Sequence, residues 1–299
     1  MSKPLVSVLM TVYNREKYIA EAIQSVMDST YQNWELIIVD DRSKDRSVEI
    51  AQEFEKKDSR IRIYVNEVNL GDYPNRNKAA SYAQGKYLKY VDADDLIYPY
   101  GLEQLVFYME QFPEAGYGLC SIPPDRNKKF PFDLTTTEAY ERHYFSTPIF
   151  NRAPLSAIIN RTKFEEVGGF SGKRMLGDFE MWHILSQRYS VVLMPQGIAW
   201  YRVHEEQEMS LHRSDPIEPL KYKLCAQDLL NSPHCPLSVE KRMLALKIVN
   251  NEIVDFILSA LKHHSLKKFL QMKSLSNTSF TKIVNRFMTL VLNRVTKIF

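Results

Sequence analysis

The chain has 299 residues, of which 44% are hydrophobic and 12% aromatic, and its 39 basic residues nearly balance 36 acidic ones. This composition supports a sizeable core and excludes global disorder. The three cysteines lack a C-x-x-C spacing, which argues against a disulfide framework and a zinc site. There is no apolar run long enough to span a membrane and no leader-like start, so we predict a cytoplasmic protein.

The positive charge is concentrated at the C-terminal end. Residues 256–299 contain eight Lys or Arg and no Asp or Glu, so residues 1–255 hold 31 basic and 36 acidic residues. A mildly acidic body with a basic end is typical of a protein that docks on an anionic surface.

The first part of the chain alternates strands and helices. Apolar runs and helical periodicity predict strands at 5–12, 34–39, 61–65 and 86–91, with helices from about 16, from 42–47 and from 72 to 83. Such alternation predicts a parallel sheet with ligands beyond the carboxyl ends of its strands.

The fourth strand runs into three carboxylates in four positions, Asp92, Asp94 and Asp95. These charges repel one another, and a bound cation would relieve the repulsion. Carboxylate oxygens suit Mg²⁺ or Mn²⁺, which would share its ligands with a nucleotide diphosphate. The alternative is a solvated turn in which Asp94 or Asp95 caps the following helix.

Two earlier strands also end in polar residues that can grip a nucleotide. They are Thr11, Tyr13 and Asn14 after the first strand, and Asp40 and Asp41 after the second. Because parallel strands end at one sheet edge, we expect all these side chains to converge with the acidic stretch.

The second half is less regular. Prolines and aromatic residues in 113–150 predict loops and edge strands, followed by a strand at 155–160 and a short helix at 162–167. A helical segment is predicted at 175–185, and helices follow at 220–230, 238–261 and from 280. The acidic stretch at 205–208 is predicted to be a lid or a solvated loop.

The last helix is amphipathic. The apolar face contains Phe280, Ile283, Val284, Phe287, Val291, Val295 and Ile298, and the opposite face contains Lys282, Arg286, Asn293 and Lys297. This pattern predicts a peripheral contact with a membrane through 280–299. The alternative is packing on the rest of the chain or on a second subunit.

Several motifs, taken together, resemble the family 2 glycosyltransferases of the GT-A fold over about residues 4–210. They are SVLMTVYNREKYIAEAIQSV, WELIIVDDRSKDRS, NLGDYPNRN, the D-x-D-D strand end, VGGF, GDFEMW and WYRVH. The resemblance implies an α/β fold with a Rossmann-like, mostly parallel central sheet flanked by helices and a helical C-terminal extension. The catalytic domain would be 1–215, divided into a nucleotide-sugar half (1–112) and an acceptor half (113–215), and the extension would be 216–299.

The resemblance also assigns the donor site. Thr11, Val12 and Tyr13 would line the base and ribose, and Asp41 would accept a hydrogen bond from the ring N–H of a uracil-like base. Tyr13 could instead be a helix-entry contact, and Asp41 a helix cap or loop carboxylate.

The diphosphate and its ion complete the implied donor site. Arg76 would bind diphosphate oxygens, unless it forms a surface ion pair. Asp92 and Asp94 would form the D-x-D motif, with Asp94 as the direct ligand of Mn²⁺ or Mg²⁺. Asp95 would hold a water near the sugar or cap a helix, and His204 would be a third metal ligand or a structural histidine.

The catalytic base falls on Asp178 by the same resemblance. It would deprotonate the acceptor hydroxyl, and if it lies across the sugar from the diphosphate, the displacement is in line and the anomeric configuration inverts. The alternative is an N-cap of its helix. Gly169 would let the backbone bend close to the sugar, and Glu180 would orient the acceptor or a loop. Trp182 would lie under a sugar ring or, alternatively, pack in the core.

Two residues depart from the family pattern: Thr11 stands where proline is common, and Arg42 where glycine is common. An arginine at that position could change the base preference. We therefore expect a UDP-sugar-dependent glycosyltransferase acting on a glycan or a lipid-linked acceptor at the inner face of the membrane, with no nucleic-acid partner. The alternatives are a sugar nucleotidyltransferase and an inactive glycan-binding or scaffold protein.

Overall fold

A computed structural model describes residues 3–204 and 215–295, with side chains described up to residue 290. The chain divides into two compact units, Met1–Arg202 and Val203–Phe299. The predicted lid at 205–208 lies outside the described residues, and the finer division into donor and acceptor halves stays a prediction.

The first unit contains ten strands and seven α-helices in its described residues. The strands are β1 (Val6–Val12), β2 (Trp34–Asp40), β3 (Ile61–Val65), β4 (Tyr87–Tyr90), β5 (Leu96–Ile97), β6 (Tyr117–Leu119), β7 (Phe132–Leu134), β8 (Ala157–Asn160), β9 (Val191–Leu193) and β10 (Ala199–Trp200). The helices are α1 (Ile19–Met27), α2 (Ser47–Glu55), α3 (Asp72–Ser81), α4 (Gly101–Met109), α5 (Thr136–Phe145), α6 (Arg161–Glu166) and α7 (Gly177–Ser186).

Eight of these strands form one sheet in the order β3-β2-β1-β4-β8-β6-β9-β7. The first four are mutually parallel, whereas β8 runs antiparallel to both β4 and β6 and β7 runs antiparallel to β9. A separate two-stranded sheet pairs β5 with β10, so Trp200 lies opposite Leu96 just after the acidic stretch. The structure thus has the predicted α/β sheet, with antiparallel strands in its second half.

The apolar character of β1 and β2 explains their central place. Every residue of β2 is buried, and six of the seven in β1 are buried. Strands covered on both faces need apolar side chains on both faces, so neither sequence alternates. The register pairs Val12 with Asp40 and Asp40 with Val65, which makes the polar loops after β1 and β2 leave the sheet side by side.

The segment 113–150 is more regular than predicted. Strand β6 lies inside the sheet between β8 and β9, and α5 is a ten-residue helix. Thr135 and Glu138 form a reciprocal capping box at the start of α5. The pattern T-x-x-E at 135–138 could have revealed this helix, and its prolines and aromatic residues obscured it.

The second unit is helical in its described residues, as predicted. The helices are α8 (Ile217–Asn231), α9 (Val239–His263), α10 (Leu266–Leu275) and α11 (Phe280–Val295). Helix α10 was not predicted from the sequence. Across the described residues, every helix is either too short or too polar to cross a bilayer.

Helix α11 packs on α9 by one edge only. Ile283 is 4% exposed, and Arg286 donates to Asp255 of α9 at 2.9 and 2.6 Å. Ile283 and Arg286 therefore contact α9, and the predicted membrane contact of 280–299 stays a prediction. The large apolar side chains that stay exposed on the described part of this helix are Phe280, Val284, Phe287 and Met288.

The loop after β2 contains a strained residue. Arg42 has φ = 67°, a left-handed conformation that favours glycine, which is the residue common at this position in the resembling family. The neighbouring Asp41 is 4% exposed, and its side chain accepts hydrogen bonds from the backbone N–H groups of Leu70 and Gly71. These bonds fix the loop, so Arg42 has to adopt the conformation that the loop imposes.

We predict that Arg42→Gly raises the free energy of unfolding by about 1 kcal/mol. A left-handed non-glycine residue costs about 1–3 kcal/mol, and the greater freedom of glycine in the unfolded chain offsets about 0.5–1 kcal/mol of the gain. Urea denaturation of wild type and variant measures the difference. Lys44→Gly, at an exposed residue of the same loop, is the control and should not stabilise; a less stable Arg42→Gly protein would contradict the prediction.

Candidate active site

Two loops build a cleft at the carboxyl ends of β1 and β2. The backbone N–H of Asn14 donates to Ser43 Oγ at 2.8 Å, and Asn14 Oδ1 accepts from the Lys44 N–H at 2.9 Å. A third bond runs from the Glu16 N–H to Asp45 Oδ2 at 3.0 Å. These bonds join the β1–α1 and β2–α2 loops, so the cleft walls are fixed relative to each other.

The cleft has a volume of about 540 Å³ and is open to solvent. Its lining residues are Tyr13, Arg42, Ser43, Lys44 and Asn69. This volume lies within the usual range for small-molecule sites. The tyrosine ring is 45% exposed, which leaves it available to a flat ring such as a nucleobase.

Thr11 and Val12, the other residues predicted to line the base, differ in how deeply they are buried. Thr11 is partly buried, and Val12 is 1% exposed with its carbonyl accepting from the Asp41 N–H at 2.7 Å. The side chain of Val12 thus belongs to the core and its carbonyl has a partner, so only its backbone could line a base, and its role stays a prediction.

Asp41 holds the loop that precedes α3. Its Oδ1 accepts from the Leu70 N–H at 2.7 Å and from Asn66 Nδ2 at 2.9 Å, and its Oδ2 accepts from the Gly71 N–H at 2.8 Å. A carboxylate has about four acceptor sites, so Oδ2 keeps one for a base N–H. Burial raises the pKa of the neighbouring Asp40, whose Oδ1 accepts from the Ser43 N–H.

Two arginines neutralise the acidic stretch after β4. Arg76 of α3 donates to both oxygens of Asp92, at 2.7 and 3.0 Å, and to Asp72 at 2.7 Å. Arg15 Nε donates to Asp94 Oδ2 at 2.9 Å. Arg76 donates one hydrogen bond to each oxygen of Asp92, so this carboxylate is held by α3 and keeps acceptor positions for a ligand. With 8% side-chain exposure, Arg76 is a buried member of this network rather than part of a surface ion pair.

Asp95 faces inward. It is 1% exposed, and its Oδ1 accepts from the Arg202 N–H at 3.0 Å. Burial raises the pKa of its carboxyl, and the nearby charge of Asp92 raises it further. The predicted contact between Asp95 and a sugar is therefore wrong, since this side chain ties β10 to the acidic stretch.

The donor set fits a divalent ion only in combination with a ligand. In residues 3–204 and 215–295, no three His, Cys, Asp or Glu side chains form a metal group. Mg²⁺ usually binds one or two carboxylates together with substrate phosphates. Asp94, with 12% side-chain exposure, can be such a carboxylate. His204 belongs to the second unit, and its role as a metal ligand stays a prediction.

Asp178 lies in the first turn of α7, against α3. A Cβ added to Gly177 would come within 2.6 Å of the Tyr73 ring, so the backbone of α7 touches that tyrosine. Burial raises the pKa of Asp178 to about 6. Hydrogen bonds from the Phe179 N–H and from Tyr73, together with the positive charge of Arg76, act in the opposite direction and lower this pKa. Asp178 follows the N-cap position by two residues and is not itself the cap.

Arg76 therefore connects the two predicted acidic sites. Its guanidinium binds Asp92 directly and acts electrostatically on Asp178, with Tyr73 hydrogen-bonded to Asp178 beside it. Residues far apart in sequence are thus brought together at one edge of the sheet. Tyr73 was not predicted; its position one helical turn before Arg76 was the available signal.

The glycine-rich loop before α7 is clamped to α3. Asn77 Oδ1 accepts from the Phe170 N–H at 2.9 Å, and Asn77 Nδ2 donates to the Phe170 carbonyl at 2.7 Å. Gly169 has φ = 70°, and a Cβ there would meet Asn77 Oδ1 at 2.7 Å. This glycine is thus needed for the close approach to Asn77, and the predicted approach of its backbone to a sugar stays a prediction.

Glu180 and Trp182 also have structural partners. Glu180 is 6% exposed, accepts from Lys173 Nζ at 2.6 Å and bonds the Ser171 hydroxyl, so it holds the same loop. Trp182 is fully buried, stacks on Tyr117 with ring centroids 5.4 Å apart, and donates to the Arg152 carbonyl at 2.6 Å. A sugar cannot reach the Trp182 ring, so that predicted contact is wrong.

Solved structures share this fold. TarS of S. aureus (residues 1–349, in complex with UDP-GlcNAc) matches with a TM-score of 0.70 and 18% identity, covering 89% of this chain and 79% of that one. The mannosyltransferase PcManGT from Pyrobaculum calidifontis, in complex with GDP-Man and Mn²⁺, matches with a TM-score of 0.62 and 15% identity over 99% and 88% of the two chains. At these identities the likeness supports the predicted GT-A fold and nothing finer.

Sequence comparisons give the family. GlyG, a glycosyltransferase of Streptococcus pneumoniae, is 39% identical over 66% of this chain and 70% of its own. TuaG of Bacillus subtilis, provisionally named a teichuronic acid biosynthesis glycosyltransferase, is 34% identical over 67% of this chain and 80% of its own. The model of the family "Glycosyl transferase family 2" matches residues 7–182, more than half of the chain. The chain therefore belongs to glycosyltransferase family 2.

Proposed function

We propose that the enzyme transfers a sugar from a UDP-sugar to a hydroxyl group of a glycan or lipid-linked acceptor, with inversion at the anomeric carbon. The observation that carries this proposal is the position of Arg76, which binds Asp92 at 2.7 Å and acts on the charge of Asp178. An enzyme of this kind needs a site for the leaving diphosphate and a base for the acceptor within one sugar of each other. Arg76 links two carboxylates suited to these two tasks.

The cleft between the first two loops is the proposed base site. Tyr13 offers an exposed ring, and the remaining acceptor position of Asp41 Oδ2 suits the ring N–H of uracil. The UDP-GlcNAc complex of TarS supports this choice, and the GDP-Man complex of PcManGT makes GDP the donor to test beside it.

A divalent ion, Mn²⁺ or Mg²⁺, is proposed at Asp94, with Asp92, which Arg76 holds, as the second carboxylate of the motif. When bound, such an ion neutralises the negative charge of the leaving diphosphate. Arg76 supplies positive charge from the protein side, and its 8% side-chain exposure makes that charge act through a poorly solvated region.

Asp178 is the proposed general base. As the acceptor oxygen attacks the anomeric carbon, its proton passes to the Asp178 carboxylate and the bond between the sugar and the diphosphate breaks. A pKa of about 6 leaves Asp178 ionised at neutral pH while keeping it more basic than an exposed aspartate. The hydrogen bond from Tyr73 and the charge of Arg76 stabilise the ionised form before the substrate arrives.

We predict that Asp178→Asn lowers kcat by about 10²–10⁴-fold, the usual contribution of a general base, and leaves UDP binding unchanged. In the wild type, kcat should fall as the pH drops through about 6, because the raised pKa lets Asp178 take up a proton there. A steady-state assay of UDP release with an acceptor measures both.

Glu165→Gln, at an exposed carboxylate of α6, is the matched control and should keep wild-type activity. Full transfer activity in Asp178→Asn would contradict the assignment of the base.

The second unit supports an acceptor at a membrane. Four large apolar side chains of α11 are exposed, Phe280 at 64%, Val284 at 42%, Phe287 at 53% and Met288 at 52%. They lie at helical spacing on one face, within a stretch that contains Lys and Arg but no acidic residue after Asp255. Exposed apolar side chains beside cations suit the interface of an anionic bilayer, so we propose peripheral membrane contact through 280–299.

We predict that the protein sediments with vesicles containing phosphatidylserine and much less with neutral phosphatidylcholine vesicles, and that added salt weakens the binding. The double substitution Phe280→Ser and Phe287→Ser should weaken it at least about tenfold, since burying each ring contributes roughly 1.5–3 kcal/mol. Val239→Ser, at an exposed apolar residue of α9, is the control.

Unchanged vesicle binding in the double variant would contradict the role of this face. A concentration-dependent dimer that the double variant abolishes would instead assign the face to a second subunit.

A further inference from the structure

We propose that Arg15 is a displaceable counter-ion that occupies the place of the metal at Asp94 in the nucleotide-free enzyme, and that it thereby lowers the affinity of the site for the metal. The inference rests on the proposed metal site at Asp94. The observation that supports the inference is the 2.9 Å contact between Arg15 Nε and Asp94 Oδ2, two residues that lie 79 positions apart in the sequence.

The position of Arg15 is built into the cleft. Its backbone N–H donates to Ser47 Oγ at 2.8 Å, and Nη1 donates to the carbonyls of Tyr13 and Asn14 at 3.2 and 3.1 Å. Ser47 is fully buried and donates from its hydroxyl to Asp45. The bonds to its own loop therefore direct the guanidinium towards Asp94 before any ligand binds.

The acidic stretch requires such a charge. Asp92, Asp94 and Asp95 lie within four residues, and carboxylates this close oppose one another's ionisation. Arg76 forms an ion pair with Asp92, but its single positive charge is shared with Asp72, which it binds at 2.7 Å. Arg15 contributes the positive charge at Asp94, so the stretch can stay folded without a metal.

The two arginines differ in how firmly they are bound. Arg76 makes three hydrogen bonds to carboxylate oxygens and its side chain is 8% exposed. Arg15 makes one such bond, through Nε, and its side chain is 24% exposed. A partly solvated side chain with a single charged contact can rotate towards water at much lower cost than a buried bidentate one. Arg76 is thus the permanent counter-ion and Arg15 the exchangeable one.

A direct consequence concerns the metal. An ion that binds Asp94 through Oδ2 needs the oxygen that Arg15 Nε occupies, so the two cations compete. Removing the guanidinium should remove its contact with Asp94 Oδ2 and make that oxygen more available to the metal. A residue that itself bound the diphosphate would behave in the opposite way, because its loss would weaken binding of the metal–nucleotide pair.

The test is a MnCl₂ titration of the full chain at saturating UDP, followed by thermal unfolding. Wild type, Arg15→Ala and Arg15→Lys are compared, with Arg46→Ala as a control that removes the same charge from an exposed ion pair on α2. We expect Arg15→Ala to reach half-saturation at about tenfold lower Mn²⁺, equivalent to about 1.4 kcal/mol. Arg15→Lys and Arg46→Ala should stay near wild type.

A second measurement, in EDTA without nucleotide, needs no metal. Arg15→Ala should melt below wild type because the ion pair between Arg15 and Asp94 is lost. Adding Asp94→Asn should cost little more, because the pair is already broken and the repulsion from the Asp94 charge is removed. An equal loss from Arg15→Ala in the wild-type and Asp94→Asn backgrounds would overturn the pairing.

The outcomes separate this inference from the proposed function. A wild type whose UDP binding ignores Mn²⁺ contradicts the metal site itself, and the wild-type titration alone shows it. If the wild type responds to Mn²⁺ and Arg15→Ala needs the same or a higher concentration, the metal site stands and the competing role of Arg15 is overturned.

Discussion

The buried guanidinium of Arg76 is the interaction on which the site depends. It bridges Asp72 and Asp92 with bonds of 2.7 to 3.0 Å and stabilises the charge of Asp178 on α7. A buried charge whose partner is removed costs about 3–5 kcal/mol, so these carboxylates and this arginine have to be kept together. The same requirement fixes α3 against the end of β4 and against α7, which brings the carboxylates proposed for the diphosphate site and for the base into one network.

The sheet makes that arrangement possible. Because β1, β2 and β4 are parallel neighbours, their loops leave one edge, and hydrogen bonds between the loops then define the cleft. Family membership favours a glycosyltransferase over the nucleotidyltransferase and scaffold alternatives. The two arginines differ in their surroundings: Arg76 is buried between two carboxylates, whereas Arg15 is partly exposed and is proposed to give way to a metal at Asp94.

Residues whose roles follow from local pattern were predictable. The apolar runs of β1 and β2 and the carboxylates at the strand ends are local signals, and parallel topology converts them into one site. Roles set by distant packing were not predictable. Gly169 lies against Asn77, Trp182 stacks on Tyr117, and Asp95 accepts a hydrogen bond from the Arg202 N–H. The two residues of each pair are 65 or more positions apart in the sequence. Asp41 also anchors a loop, through partners 25 to 30 residues away, and sequence spacing carries no information about such partners. The partners of Glu180, Ser171 and Lys173, are only 9 and 7 residues away.

The most direct test of the central claim is calorimetric titration of the wild-type protein with UDP-, GDP-, CMP- and dTDP-sugars, in MnCl₂ and in EDTA. The account predicts one-to-one binding that is selective for a UDP-sugar and depends on the metal. In Asp94→Ala, the metal should no longer strengthen binding. Equally tight binding in EDTA, or unchanged metal dependence in Asp94→Ala, would contradict a site in which Asp94, Asp92 and Asp178 surround one metal-bound diphosphate sugar.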